Sequence, residues 1–299
     1  MRKYILASCT LGTWFDQAME DAIRANKFRQ LELSAGLLYY EENKERSDET
    51  IRRIQNMVKD GALVIGSVHI PFGTPFDPSA IDENDRLRNC ENIRMIVRKC
   101  VDAGLGAPHY TLHGGMEPTL DADRPHRLAQ SHKSLSELAP FFAELGACVN
   151  VELLPRSCCG NTVEELQIIT DGQPENVGVC LDVNHVMNRA AHLPEYIRAL
   201  APRIKSFHLS DYDNVDEQHW YIPHAGVIDW HAVMPAIREI DHDVNMIFEA
   251  RFLQGCTWRG NTKMDSAVRL YEYAAYYLEN IEKFAATDAE FETFSVPGN

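Results

Sequence analysis

The eight cysteines of this 299-residue chain form no CxxC pair and no framework spacing, which argues against a disulfide scaffold and a structural zinc knuckle. Positive charge is scarce: 29 Lys and Arg face 44 Asp and Glu, for a formal net charge of −15. A field of that sign disfavours polyanions, so nucleic acid is an unfavoured partner, although bound divalent cations could reverse the potential inside a cleft. No Gly/Ser tract, Pro-rich run or charge block divides the chain, and residues 1–299 are expected to form one domain. Long hydrophobic runs are missing as well. Met1 leads straight into RKYILASCT, too short for a signal peptide or a membrane span. A reduced, cytoplasmic protein without a membrane partner is the expectation. Cys9, Cys148 and Cys180 then read as small core residues inside apolar runs, and the adjacent Cys158 and Cys159 as free thiols.

What the chain does have is a rhythm. Short apolar segments alternate with helical ones at a period of roughly 30 to 40 residues, the mark of βα units. Eight strands are expected, at Tyr4–Cys9, Gln30–Ser34, Val64–Ile70, His109–His113, Cys148–Leu153, Val177–Asp182, Ile204–Leu209 and Asn245–Glu249. Helices are expected between them, including Phe15–Ala25, Thr50–Asp60, Asn84–Ala103, Pro125–Leu145 and Trp230–Ile240, with a last one near Met264–Phe284. The charged stretch SAGLLYYEENKERSDE reads as a solvated loop. Eight such units close into a (β/α)8 TIM barrel, whose functional groups collect at the C-terminal ends of the strands.

Those ends carry the chemistry. CVNVE, VGVCLD, IKSFH and NMIFE finish in Glu152, Asp182, His208 and Glu249, HYTLH finishes in His113, and Glu32 and His69 lie near two more ends. Side chains alternate along a strand, so Asn150, Cys180, Ser206 and Ile247 should stand directly behind the four main residues, in the barrel interior. One acid at a strand end is readily explained by an ion pair or a helix cap, and one histidine by a core hydrogen bond. Glu, Asp, His and Glu in succession form instead an oxygen-rich donor set with one nitrogen, suited to a single Mn²⁺, Mg²⁺ or Co²⁺ ion, with Zn²⁺ also open. His185, three residues past Asp182, could contact a substrate hydroxyl or be an ordinary loop histidine. His219 and His224 share a polar, aromatic loop of the kind that lines an active site. Arg156 could bind a substrate oxyanion or pair with an acidic helix, and Trp14 and Phe72 either wall a pocket or pack in the core.

Five stretches, VELLPRSCCGNTVEEL, GVCLDVNHV, FHLSDYDNVDEQHW, IPHAGVIDW and IFEAR, resemble the xylose isomerase-like TIM-barrel superfamily, specifically its sugar isomerases and epimerases. The resemblance implies that Glu152, Asp182, His208 and Glu249 hold one divalent metal and that His185 contacts substrate. It implies a metal-dependent isomerase or epimerase of a ketose, aldose or related polyol-derived substrate, working through an enediolate. Glu152 and Glu249, three strands apart, would remove and return the proton, with His185 and Arg251 stabilising the enediolate oxygen. His69, His113, His219 and Arg156 complete the candidate substrate-binding set. The departure at His224-Ala225-Gly226, where relatives often carry Gly-x-Gly, bears on the substrate. A dehydratase of a keto-polyol would use the same parts. The superfamily also contains apurinic-site endonucleases with three zinc ions, whose extra ligands correspond here to His69, His113 and the pair Glu217 and His219. The partner expected is a small carbohydrate, and the polar C-terminal stretch and last helix are candidate surfaces for a homo-oligomer.

Overall fold

Apolar runs bounded by polar residues become strands along the whole chain: β1 (Arg2–Ala7), β2 (Gln30–Ser34), β3 (Val64–His69), β4 (His109–His113), β5 (Cys148–Glu152), β6 (Val177–Asp182), β7 (Ile204–Leu209) and β8 (Val244–Phe248). The computed structural model describes residues 2–11, 15–25, 29–39, 42–223, 226–250 and 263–284. The eight strands are parallel and close in sequence order, with β8 pairing back onto β1 through Ile5–Ile247 and Leu6–Phe248. The (β/α)8 barrel expected from the sequence is therefore what forms. Every residue of β6 and β8 is buried, as strands covered on both faces require.

The helices are α1 (Gln17–Ala25), α2 (Lys44–Lys59), α3 (Glu83–Asp102), α4 (Arg124–Glu144), α5 (Val163–Thr170), α6 (Leu193–Leu200), α7 (Trp230–Arg238) and α8 (Lys263–Glu279). Several start on side-chain caps: Asp82 accepts from the backbone N–H groups of Asn84 and Asp85, Thr162 from Glu165, and Asp229 from Ala232. Such caps satisfy donors that the first helical turn leaves unpaired. The stretch expected as a charged loop is corrected at its second half, because α2 begins at Lys44. Its outer face is laced by ion pairs one turn apart, among them Lys44–Asp48 and Glu49–Arg53. Among the described residues no helix is long and apolar enough to cross a membrane.

Most of the core lies between strands and helices, while Ile5, Ala7 and Ile247 form a small separate cluster. Space inside the ring is tight. A Cβ on Gly66 would come 2.8 Å from both Ile5 Cδ1 and Gln30 Oε1, so any larger residue there would have to push both side-chain ends aside. Asn150, Cys180, Ser206 and Ile247 are all fully buried behind the rim, as the alternation required.

Candidate metal centre and its pocket

Strand register decides which rim residues meet. Pairing sets His113 beside Glu152, Asp182 beside His208, and Ser34 beside His69. The ladder continues past the strand ends, with Leu153 N–H donating to Cys180 O, Val183 N–H to His208 O and Glu249 N–H to Leu209 O. Glu249, expected as the last residue of its strand, thus lies one position beyond β8 yet stays tied to the barrel. Potential ligand atoms of Glu152, Asp182, His208 and Glu249 lie within 4.8 Å of one another. His208 Nδ1 is 2.9 Å from Glu152 Oε1, 2.8 Å from Glu249 Oε2 and 3.9 Å from Asp182 Oδ2.

The electrostatics are those of buried acids crowded around one imidazole. Burial works against the charge on Glu152, but His208, His113 and His69 outweigh it and hold its carboxyl well below the usual range. Burial likewise opposes protonation of His208, yet Cys180 and the carboxylates of Glu32, Glu152 and Glu249 push its pKa well above the usual value. For Asp182 burial prevails, raising its pKa against the pull of His185 and His219. Its Oδ1 accepts from Asn184 N–H at 2.7 Å, whereas Oδ2 is buried without a hydrogen bond. An orphaned carboxylate oxygen aimed at three further donors fits a divalent ion, since an unsatisfied buried acceptor is otherwise costly. Three oxygens and one imidazole nitrogen suit Mn²⁺, Mg²⁺, Co²⁺ or Zn²⁺.

Other candidates surround this centre. His69 Nε2 and His113 Nε2 each lie 3.2 Å from the second Glu152 oxygen. The hydrogen bond and field of Glu152 overcome the burial of His69 and raise its pKa to about 9, while burial prevails at His113 and lowers it. His185 Nδ1 donates to Leu153 O at 2.8 Å and its Nε2 meets Glu217 Oε2 at 2.9 Å. His219 Nδ1 is 3.0 Å from the carbonyl of Glu249. Two further ligand groups result, His69 with His113 and Glu152, and Asp182 with His185 and His219. Arg156 stands at the mouth, donating to Glu117, Asp216 and Glu217. These residues line a cavity of about 350 Å³ whose apolar wall includes Phe72, Met116, Leu154 and Pro155. Arg251, Trp14 and His224 lie outside the described residues.

Of the two readings open for Phe72, the pocket wall holds: it lines the cavity, is 60% exposed and stacks on His113 with ring centres 4.8 Å apart. Other contributors carried no sequence signal of a role. Cys9 departs from the expected core position: it is exposed, with Sγ 3.6 Å from Glu249 Oε1. Asn184 ties two loops together, donating to Ser210 Oγ and Asp211 O and accepting from Gln218 N–H. Asp211 fastens the loop that carries Glu217 and His219. Its backbone exchanges hydrogen bonds with Trp220, and its carboxylate accepts from Tyr212 N–H, Ile228 N–H and Trp230 Nε1.

Burial raises the Asp211 carboxyl from its ordinary 3.8 to about 6, despite those donors. A folded-state pKa above the unfolded one means that this residue's contribution is complete below about pH 4 and lost as pH rises through about 6. Asp211→Asn cannot ionise. Relative to wild type, the variant is expected to gain up to about 3 kcal/mol between those limits. Urea unfolding of both proteins at each pH measures the difference, and a difference independent of pH would contradict it.

A closed parallel barrel with carboxylates and imidazoles converging at the C-terminal rim defines the class: a (β/α)8 protein with a candidate metal centre. The chain belongs to the xylose isomerase-like TIM-barrel family, whose model matches residues 21–270. It is similar to the D-psicose 3-epimerase of Enterocloster bolteae (strain ATCC BAA-613), at 25% identity over 142 residues. That match covers 46% of this chain and 45% of the relative, so it spans less than half of either protein. Among solved structures, a D-tagatose 3-epimerase-like protein superposes with a TM-score of 0.73 at 23% identity, covering 94% of this chain and 98% of the other. The IOLI protein, crystallised with a zinc atom, gives a TM-score of 0.73 at 14% identity over 95% and 99% of the two chains. At those identities the structural matches speak for the fold.

Proposed function

We propose that this protein is a divalent-metal-dependent sugar epimerase or isomerase that moves a proton on an unphosphorylated ketose or related polyol-derived substrate. The observation that carries the reading is the meeting of two carboxylates from strands three apart, Glu152 and Glu249, at one histidine nitrogen beneath an open pocket. The sequence similarity to a D-psicose 3-epimerase supports it. Glu152, Asp182, His208 and Glu249 would hold the ion, which when bound polarises a substrate carbonyl and acidifies the C–H beside it.

The remaining work falls to the protein. A sugar lying between Glu152 and Glu249 presents one face to each, so one carboxylate takes the proton and the other supplies it. Return to the same carbon from the opposite face inverts that centre, and return to the neighbouring carbon interconverts aldose and ketose. His185, anchored through Nδ1 on Leu153 O and paired through Nε2 with Glu217 Oε2, would donate to a substrate oxygen that gains charge by exchanging the Glu217 partner for it. Phe72, Met116, Leu154 and Pro155 offer an apolar wall to the C–H face of a sugar and exclude water. Arg156 is already shared among three acids, and among the described residues no other Lys or Arg lines the cavity. That lining suits a neutral substrate. The test is incubation of D-psicose and D-tagatose in D₂O with metal-loaded protein. Deuterium on the carbon beside the carbonyl, together with the epimeric ketose, is the expected result. Loss of a hydroxyl after deuterium uptake would instead identify a dehydratase.

One observation favours a second reading. Glu152 belongs to two of the three ligand groups and Asp182 to two, so the groups form a chain linked by shared carboxylates. That arrangement could hold several zinc ions for phosphodiester cleavage. Elemental analysis separates the readings. About one ion per chain supports the epimerase, whereas two or three zinc ions with no ketose exchange would overturn it.

A further inference from the structure

The centre has a support that lies below the rim. Glu32, on β2, is 1% exposed and faces the barrel interior. An irregularity in pairing between Leu31 and Glu32 sets Glu32 against Ser67 of β3. Its Oε1 accepts from Ser67 Oγ at 2.8 Å and from Thr111 Oγ1 at 3.2 Å. Its Oε2 lies 3.2 Å from Nε2 of His208, the ring nitrogen opposite the one that meets Glu152 and Glu249. A carboxylate in a barrel interior is expensive unless each lone pair is used. Here two hydroxyls from neighbouring strands fix its position and an imidazole takes what remains.

We infer that Glu32 is a positioning residue for His208: by accepting the Nε2 proton it fixes the ring's tautomer and tilt, and leaves the Nδ1 lone pair facing Glu152, Asp182 and Glu249. A neutral imidazole carries one N–H and one lone pair, so the group that holds the hydrogen decides which nitrogen can bind a cation. Without Glu32 the proton could settle on Nδ1, where two carboxylate oxygens within 3 Å would welcome it, and the ring would offer the ion no lone pair. Outer-shell carboxylates behind ligating histidines orient the ring in this way and raise its basicity, at a cost of about 10- to 100-fold in metal affinity when removed. The inference rests on reading Glu152, Asp182, His208 and Glu249 as one metal site.

Zinc is the probe, being diamagnetic and matched to the donor set. Its affinity is measured by chelator competition for wild type, Glu32→Met and Glu32→Gln. Methionine keeps length and removes the acceptor, so binding is expected to weaken about 10- to 100-fold. Glutamine can turn its amide oxygen to His208 and its NH₂ to Ser67 and Thr111, and is expected to recover most of that loss. The ¹⁵N spectrum of zinc-loaded wild type should show His208 protonated at Nε2 and ligated through Nδ1, a result independent of how the variants fold. Equal zinc affinity in wild type and Glu32→Met, or a ring protonated at Nδ1, overturns the inference while leaving the metal site in place. A wild-type protein that binds no zinc removes the metal-site reading and this inference with it.

Discussion

Glu152→Gln is expected to abolish interconversion, lowering turnover by about 10³-fold, while the barrel still folds. Glutamine has the same shape, and the residue's neighbours are side chains that adapt: three imidazole nitrogens, from His69, His113 and His208, contact its oxygens. In the proposed reaction, loss of the carboxylate removes one of the two groups that would hold the migrating proton. Glu249→Gln, at the other side of the sugar, should fail in a different way. Each variant, once loaded with metal, is expected to keep solvent exchange for the epimer whose C–H faces the surviving carboxylate, and to lose conversion to the other. Metal content, a melting curve and deuterium exchange for each epimer form the full measurement. Retention of most interconversion by Glu152→Gln would end its assignment as a base.

Removal of the metal is the second large effect. Dialysis against EDTA is expected to eliminate turnover, and one equivalent of Mn²⁺, Co²⁺, Mg²⁺ or Zn²⁺ should restore it. Stability should follow the same course. Without a cation, Glu32, Glu152, Asp182 and Glu249 converge on His208, and an oxygen of Asp182 has no hydrogen-bond donor. An ion bound only by the folded chain adds RT ln(1 + [M]/Kd), about 2.7 kcal/mol at a concentration one hundred times Kd. Melting temperature should therefore climb with added metal in wild type and scarcely move in Asp182→Ala. Turnover indifferent to chelator would refute the metal-dependent mechanism.

The convergence of the candidate residues was legible in the sequence because a parallel barrel delivers one strand end after another to the same rim. Glu152, Asp182 and His208 needed only the alternation of side chains and the end of each apolar run. Glu249 needed slightly more, since the strand stops at Phe248 and a single backbone bond to Leu209 O carries it onward. Glu32 could be placed near a strand end but not at its depth, because the irregularity between β2 and β3 changes which residue of β3 it faces. Glu217 was harder still. Its position depends on a loop held by Asp211 and Asn184, contacts that join residues from different turns of the barrel. The start of α2 was hidden by its charged outer face, where ion pairs one turn apart mask the apolar period. Cys9 was misread because the run RKYILASC continues its apolar character past the end of β1.

Arg156 links acids on two other loops, Glu117 after β4 and both Asp216 and Glu217 after β7. An insertion in any of these loops would have to preserve a salt-bridge hub shared with the others, so the three are constrained to change together. Phe72, on the loop after β3, is outside that hub and has most of its surface free. The mouth is therefore divided into a braced half and a variable half. A library meant to retarget the barrel to new sugars should hold the first constant and diversify around Phe72, where altered shape does not disturb the alignment of Glu217 with His185.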